Sequence, residues 1–434
     1  MARPQHFGYF FSRGFGPQAW GRSDWDWGHD WTKPDLYQQS VRTLEQAGMD
    51  LVIAEDAISL GNPSTLDLRI RQAYGGPKHD PLLLAPYLFA ATSHIGIAPT
   101  VNAGFTPPYL AARQFATLAH LSSERLGINV VTDVGSARHA GLPPLPHDQA
   151  YGRAEEWITL LRRLWGSWGS GFIGNRSDWS FADGDALDAF HHEGEYFTAD
   201  GPLNALPLDS DPVVVSPGGS GRGLAFAGTH SDVQLALAPL SAAAVADYRG
   251  RVIAAARNAG RKAADLRILF VLKPEIVSSS DEADRIVEAS RHPSDDDLRT
   301  AAIAWSSDSE TDLLALDLDA PVPDGTFGDH VSAGTIRGLL GDTPDAPLRT
   351  LLERKARKGR VSSHEGFVGT ADEFADFIEE LGSDADNDGI IFSGDLHPAQ
   401  IHRMFGDLVP VLRRRGLLRR EYGAGGIRAN LFDF

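Results

Sequence analysis

The chain has no cysteine and no long apolar run, and each absence excludes a class of protein. Without cysteine there are no disulfides, thiolate metal centres or cysteine nucleophiles. No stretch approaches the roughly 18 consecutive apolar residues that a membrane helix needs. The N-terminal residues also lack the apolar core of a signal peptide. We therefore expect a cytoplasmic protein that does not insert into a membrane.

Basic side chains are fewer than acidic ones. The 434 residues include 40 lysines and arginines against 58 aspartates and glutamates, which gives a formal net charge of −18. A negative field of this size repels nucleic-acid phosphates and anionic lipids. We therefore expect neither nucleic acids nor membranes as partners.

Familiar catalytic and metal-binding motifs are missing too. There is no phosphate-binding Gly-Lys-Ser/Thr ending, no Gly-x-Ser-x-Gly elbow and no His-Glu-x-x-His pair. His191 and His192 are adjacent, so in a strand they would point to opposite faces. The acidic residues from Asp384 to Asp388 lack the bidentate glutamate of a calcium loop and are interpreted as a solvated turn. No metal site is expected.

What is present is a series of eight short, continuously apolar runs, most of them separated by a helical pattern. The runs are Phe7–Phe11, Asp50–Ala54, Ile95–Pro99, Arg125–Val131, Val213–Val215, Val233–Ala238, Leu266–Ile276 and Gly389–Phe392. Continuous apolarity indicates strands buried on both faces, as in a parallel sheet. Eight βα units predict an α/β fold of the (β/α)8 TIM-barrel type.

Two stretches interrupt this rhythm, at about 166–210 and 291–365. Both are long, polar and without a clear element, which is typical of functional or irregular connections. We interpret residues 1–434 as a single barrel domain with insertions at these two barrel loops.

Polar residues recur where the predicted strands end. Active sites of parallel barrels lie at the carboxyl ends of their strands, so these residues are candidates for the site. They are Asp56, Thr100, Asn102, Asn129, Thr132 and the segment 216–222. Each one alone has an ordinary alternative as a cap or turn residue.

The Gly-rich stretch from Ser216 to Gly223 is the sharpest local signal. It lies between a predicted strand and a predicted helix, where backbone N–H groups can bind an anion. Ser220 and Arg222 add a hydroxyl and a guanidinium. The alternative is a plain strand-to-helix turn.

A second candidate for the same anion is the start of the helix after Asp148. His147 and Tyr151 are four residues apart and share one helix face, with Asp148 as the expected N-cap. The alternative is an exposed histidine beside a packed tyrosine.

Four tryptophans crowd the loop after the first run: Trp20, Trp25, Trp27 and Trp31. Because exposing tryptophan is costly, this loop is expected to pack on something. A lid over an apolar substrate pocket and a contact with another subunit are both open.

Taken together, the ordered motifs resemble the nitrilotriacetate/dibenzothiophene-sulfone monooxygenase branch of the bacterial-luciferase superfamily, and the resemblance runs nearly from end to end. The segments that carry it are 10–12, 42–45, 106–109, 115–118, 129–132, 147–157, 201–203 and 409–412.

This resemblance implies a two-component, FMN-dependent monooxygenase. Reduced FMN would come from a separate NAD(P)H:flavin reductase, O2 would add at the flavin C4a position to give a (hydro)peroxide, and one oxygen atom would pass to the substrate. The family also implies a homodimer or higher homo-oligomer. Two groups of residues would bind FMN: Asp56, Thr100 and Asn129 around the isoalloxazine and ribityl region, and His147, Tyr151, Ser220 and Gly221 around the phosphate and ribityl chain.

The expected substrate is a small apolar or aromatic compound. Its pocket is predicted to include Phe10, Trp20, Trp25, Trp27 and Asp308. Sulfone-oxidising relatives carry histidines in the first loop and in the later insertion, and here Asp308 stands in place of the second one. His29 and His330 are possible substitutes.

Because this chain lacks histidines at those positions, two other functions are possible. One is a flavin- or deazaflavin-binding barrel without oxygenase activity. Another is a deazaflavin-dependent dehydrogenase on the same barrel. The catalytic acid/base groups are not assigned by the sequence.

Overall fold

The computed structural model describes residues 3–11, 30–61, 63, 65–71, 73, 75–132, 135–169, 179, 181–182, 184–309, 311–327, 331, 333–360, 366–394, 396 and 398–434. Trp20, Trp25, Trp27, His29 and His330 lie outside the described residues.

Eight parallel strands close into a barrel, as the eight apolar runs predict. They are β1 His6–Phe11, β2 Leu51–Ala54, β3 Gly96–Asn102, β4 Gly127–Val131, β7 Val213–Pro217, β8 Val233–Ala236, β9 Arg267–Leu272 and β12 Gly389–Gly394. Around the barrel their order is β1-β12-β9-β8-β7-β4-β3-β2.

Four short strands lie outside the barrel. They are β5 His191–Glu193, β6 Thr198–Asp200, β10 Pro274–Ile276 and β11 Phe367–Gly369. β5 and β6 form an antiparallel hairpin, and β10 pairs with β11. The run Leu266–Ile276 was therefore wrongly taken as one strand, because the chain leaves the barrel after Leu272 and pairs elsewhere.

The described residues contain fourteen α-helices. They are α1 Asp35–Ala47, α2 Leu66–Arg71, α3 Pro81–Phe89, α4 Pro108–Leu121, α5 His147–Trp165, α6 Gly221–His230, α7 Ala242–Asn258, α8 Ser280–Ala289, α9 Asp295–Asp308, α10 Ala333–Leu340, α11 Leu348–Ala356, α12 Ala371–Asp384, α13 Pro398–Arg415 and α14 Ile427–Leu431. In the described part of the chain, no helix has both the length and the apolar character to cross a membrane.

Both faces of the barrel strands are buried. Inside the barrel, Leu51, Ile53, Val215 and Leu269 belong to one apolar cluster, while the outward side chains pack with the surrounding helices in a second, larger one. α14 contributes Ile427 and Leu431 to the inner cluster. Because Ile427 lies against Gly96 at the start of β3, α14 closes the barrel at the amino ends of its strands. The opposite end is left to loops.

The segment 291–365 is more ordered than its polarity suggests. It forms α9, α10 and α11, which share an apolar cluster of their own that includes Leu298, Leu313 and Leu352. Three aspartates open α9, and Ser294 and Asp297 cap each other there, so acidic residues that look like a loop start a helix. The expectation that this segment has no clear element was wrong. The single-domain division stays a prediction.

Candidate functional site

Two polar side chains meet inside the barrel near the carboxyl ends of the strands. Thr100 and Asn129 are opposite each other on β3 and β4, and the Asn129 amide donates to the Thr100 hydroxyl at 2.7 Å. Both are at least 95% buried. The Asn129 Oδ1 atom has no hydrogen-bond partner in the described structure. A buried acceptor without a donor is costly, and a ligand bound at this end of the barrel would supply one.

The Gly-rich turn after β7 forms a second part of the same end. Ser220 caps α6 by accepting from the Gly223 N–H at 3.0 Å, so Gly221 becomes the first residue of the helix. Gly218 has a φ of +128°, which side chains other than glycine rarely tolerate. A Cβ there would also lie 3.0 Å from the Tyr151 hydroxyl. The turn is therefore fixed in a shape that only glycine allows at this position.

Helix α5 brings Tyr151 onto this turn. Its hydroxyl is hydrogen-bonded by the side chains of Thr132 and Ser220, and burial raises the pKa of the phenol. The His147 ring lies 5.1 Å from the Tyr151 ring, as their shared helix face predicts. Thr132, Ser220 and the His147 ring thus contact Tyr151, whose hydroxyl lies beside the first turn of α6.

Asp148 does not cap α5. The helix begins at His147 after Pro146, and no side chain caps it. Asp148 lies in the first turn instead, where its carboxylate is 3.0 Å from the His147 Nδ1 atom. Proline fixes the backbone before the helix, so the helix starts two residues earlier than an Asp148 cap predicts.

Asp56 follows β2 at the same end of the barrel and lies in an unusual charge environment. Burial raises its carboxyl pKa to about 6, although the Lys78 ammonium, 3.8 Å away, opposes the shift. Lys78 is itself buried and ion-paired with Glu55. The sequence analysis missed Lys78, because nothing in the loop before α3 marks it as facing β2.

The predicted substrate pocket is only partly covered by the described residues. Phe10 lies on β1 opposite Ile53 and Ser393, half-buried against the inner apolar cluster. Asp308 is the last residue of α9, and its side chain lies outside the described set. The structure therefore places Phe10 at the barrel mouth and tests none of the three tryptophans.

The residues first considered for metals have protein partners instead. His191 contacts Asp200 at 2.6 Å, and His192 contacts Glu156 at 3.1 Å. Asp388 is 94% buried and ion-paired with Arg249, so describing this stretch wholly as a solvated turn was wrong. Across the described ranges, no group of histidine and carboxylate side chains could hold a metal ion.

Comparison with known proteins decides the family. The model of the luciferase-like monooxygenases matches residues 15–382. The dibenzothiophene-sulfone monooxygenase of Rhodococcus erythropolis (strain XP) is 30% identical, over 99% of this chain and 96% of its own length. The chain belongs to the luciferase-like monooxygenase family.

Other relatives extend the likeness of this monooxygenase. Nitrilotriacetate monooxygenase component A of Aminobacter aminovorans is 27% identical, over 93% of this chain and 90% of its own. A crystal structure of a long-chain alkane monooxygenase, 22% identical, superposes with a TM-score of 0.82 over all of this chain and 96% of the other. A riboflavin lyase solved with modified FMN and riboflavin is 25% identical, with the same TM-score and coverage.

These findings confirm the predicted family, the barrel and the oxidoreductase class. They also agree with a flavin cofactor, since the riboflavin lyase structure contains a modified FMN. The assignments of Asp56, Thr100, Asn129, His147, Tyr151, Ser220 and Gly221 to cofactor binding stay predictions, and so do those of the substrate pocket.

Proposed function

We propose that this monooxygenase binds reduced FMN at the carboxyl end of its barrel and uses O2 to oxygenate a small apolar or aromatic compound. The observation that carries the proposal is the buried, unpartnered Asn129 Oδ1 atom beside a glycine turn at a helix N-terminus. The Asn129 oxygen can accept a hydrogen bond from the flavin ring system, and the backbone N–H groups of the glycine turn can bind the phosphate of FMN.

The residues present fit such a cofactor. Asn129 and Thr100 would face the ring system, because they lie inside the barrel and one acceptor there is unsatisfied. Tyr151, Ser220 and the Gly221 end of α6 would hold the phosphate, with His147 at the rim. When bound, reduced FMN supplies the activation of O2 and the transfer of one oxygen atom to the substrate.

The protein itself would position the cofactor and the substrate, exclude water from them and supply a group that can carry a proton. Asp56 has a pKa of about 6, so it changes protonation close to neutral pH at the same end of the barrel. Phe10 and the largely exposed Leu237 after β8 offer apolar surface at the mouth. These two side chains support an apolar substrate over a polycarboxylate.

Binding is the first test of this function. The protein is titrated anaerobically with FMN and with reduced FMN, followed by flavin fluorescence and absorbance, and in parallel with a 5-deazaflavin. We expect reduced FMN to bind. No affinity for either redox state of FMN would overturn the proposal, and tight binding of the deazaflavin alone would favour a dehydrogenase.

Oxygenation is the second test. The protein is supplied with FMN, NADH, a flavin reductase and 18O2, and is offered thioethers, sulfones, alkanes, small aromatics and, for contrast, aminopolycarboxylates. Mass spectrometry should detect one 18O atom in a product from at least one apolar compound. Wild-type protein that binds reduced FMN but labels only carboxylate-rich substrates such as aminopolycarboxylates would contradict the substrate class.

Two substitutions test the phosphate assignment. Tyr151→Phe and Ser220→Ala each remove one hydroxyl from the turn and should weaken FMN binding about five- to tenfold. The fold should persist, because each variant loses one hydroxyl and no apolar contact. Unchanged FMN affinity in both variants would refute this part of the site.

A further inference from the structure

A completely buried polar cluster lies beneath the glycine turn, and the proposed function does not use it. Gln234 on β8 is fully buried, and Tyr248 on α7 is 97% buried. The Gln234 amide donates to the Gly218 carbonyl at 3.0 Å and to the Tyr248 hydroxyl at 3.1 Å. The Tyr248 hydroxyl donates to the same carbonyl at 3.3 Å. Two side chains from different elements therefore converge on one backbone oxygen.

The other end of the Gln234 amide is also held. Its Oε1 atom accepts from the Ser216 hydroxyl at 3.3 Å, and Ser216 lies 2.6 Å from the Ser231 hydroxyl. Both serines are buried. Burying this many polar groups is costly compared with an apolar core, so the cluster contributes specificity of geometry more than stability.

These hydrogen bonds fix the orientation of a single peptide plane. The peptide between Gly218 and Gly219 is planar, and in its trans form the carbonyl and the N–H point in opposite directions. Because the carbonyl points to Gln234 and Tyr248, the Gly219 N–H points away from this buried cluster. No acceptor within the described residues takes this N–H.

We propose that Gln234 and Tyr248 are positioning residues that fix the Gly218–Gly219 peptide so that the Gly219 N–H donates to the phosphate of a flavin mononucleotide. The inference rests on the proposed function and deepens it. Neither side chain would touch the ligand, since both lie beneath the turn. Glycine at 218 fits the same role, because its φ of +128° lets the peptide plane turn this way.

The test compares FMN with riboflavin, which carries the same ring system and ribityl chain but no phosphate. Dissociation constants of both are measured by fluorescence for the wild type, Tyr248→Phe and Gln234→Met. We expect FMN affinity to fall about tenfold in each variant while riboflavin affinity is unchanged. A merely structural role would weaken both ligands equally.

Tyr422→Phe is the matched control. Its hydroxyl also donates to a backbone carbonyl, that of Met49 at 2.6 Å, but at the opposite end of the barrel. It should lower stability without changing the ratio of FMN to riboflavin affinity. If Gln234→Met fails to fold, Tyr248→Phe alone decides, because it keeps the amide in place.

The two proposals fail in different ways. If the wild type prefers FMN over riboflavin and both variants keep that preference, the positioning role is overturned and the phosphate site stands. If the wild type binds FMN no better than riboflavin, the phosphate site is overturned, and with it the role of Gln234 and Tyr248.

Discussion

Buried charged side chains are paired differently at the two ends of the barrel. At the amino ends of the strands, here called the closed end because α14 covers it, buried carboxylates pair with arginines: Asp50 with Arg419 at 2.7 Å and Asp232 with Arg428 at 2.8 Å. At the carboxyl ends, here called the open end, one lysine faces both Glu55 and Asp56, so these two carboxylates share a single cation.

This difference separates stability from function within one fold. The carboxylate–arginine pairs stabilise the closed end. At the open end, a carboxylate that shares its lysine with another carboxylate lowers the stability of the folded state unless a ligand compensates its charge. We therefore expect substitutions at the closed end to lower stability without changing flavin binding, and substitutions at the open end either to change flavin binding or to leave stability equal to or higher than that of the wild type.

The largest effect is expected from Asp388→Ala at the closed end. Asp388 is ion-paired with the buried Arg249 and accepts from the Ile268 N–H at 2.9 Å. Removing it leaves a buried guanidinium without its main partner, which should lower the free energy of unfolding by about 3–5 kcal/mol. Urea denaturation at pH 7 measures this loss. FMN affinity of the folded variant should not change.

Asp384→Ala, four residues earlier, provides the control. Asp384 is exposed, and among the described residues its carboxylate accepts a hydrogen bond only from the neighbouring Ser383 hydroxyl. Its replacement should leave the urea midpoint almost unchanged. Equal losses in the two variants would show that the Arg249 pair is not what stabilises this end.

The next effect, of opposite sign, is expected from Asp56→Asn. Burial raises the pKa of Asp56 from 3.8 to about 6, so the folded state favours the protonated form. The stability that this provides is complete below about pH 4 and is lost as the pH rises through 6. Asparagine stays neutral, so at pH 8 the variant should be more stable than the wild type by about 2 kcal/mol.

The pH dependence of that difference is its sharpest check. At pH 5 the advantage of asparagine should be about half of its value at pH 8. Denaturation curves at both pH values give the comparison. A wild type as stable as the variant at pH 8 would show that Lys78 fully compensates the Asp56 charge.

The sequence predicts the barrel better than it predicts the site. Buried parallel strands are continuously apolar, so their positions can be recognised locally, and each of the eight barrel strands overlaps one of the expected runs. The recurrence of polar residues at strand ends also places Thr100 and Asn129 on one face. Lys78 and Gln234 could not be found this way, because their partners are distant in sequence. A lone glutamine in an apolar run carries no sign that it faces a glycine turn.

Asn129→Leu tests the open end by binding. Leucine removes the unpartnered Oδ1 atom, so the free energy of unfolding should stay within about 1 kcal/mol of the wild-type value despite the lost bond to Thr100. FMN and riboflavin should both bind about tenfold more weakly, because this site faces the ring system they share. Fluorescence titration gives both constants.

Asn387→Leu is the counterpart at the closed end. Asn387 is fully buried and its Oδ1 atom also has no partner in the described structure, but its amide makes two hydrogen bonds, to Gln5 at 2.9 Å and to the Gly389 carbonyl at 3.3 Å. Here leucine should lower stability and leave flavin affinity unchanged. If both asparagine variants weakened flavin binding alike, the contrast between the two ends of the barrel would be lost.

The smallest effect is expected from His147→Ala, which tests how far the open end extends. His147 is 59% exposed at the first position of α5, at the rim of the proposed phosphate site. An exposed group interacts with an anion through water, so its loss should weaken FMN binding only about threefold at low ionic strength. The effect should vanish above about 0.5 M salt and be absent for riboflavin. His191→Ala, equally exposed on the β5–β6 hairpin, should leave both ligands unaffected. A threefold loss that persists at high salt would instead mean that His147 contacts the phosphate directly, which would extend the open end to include the start of α5.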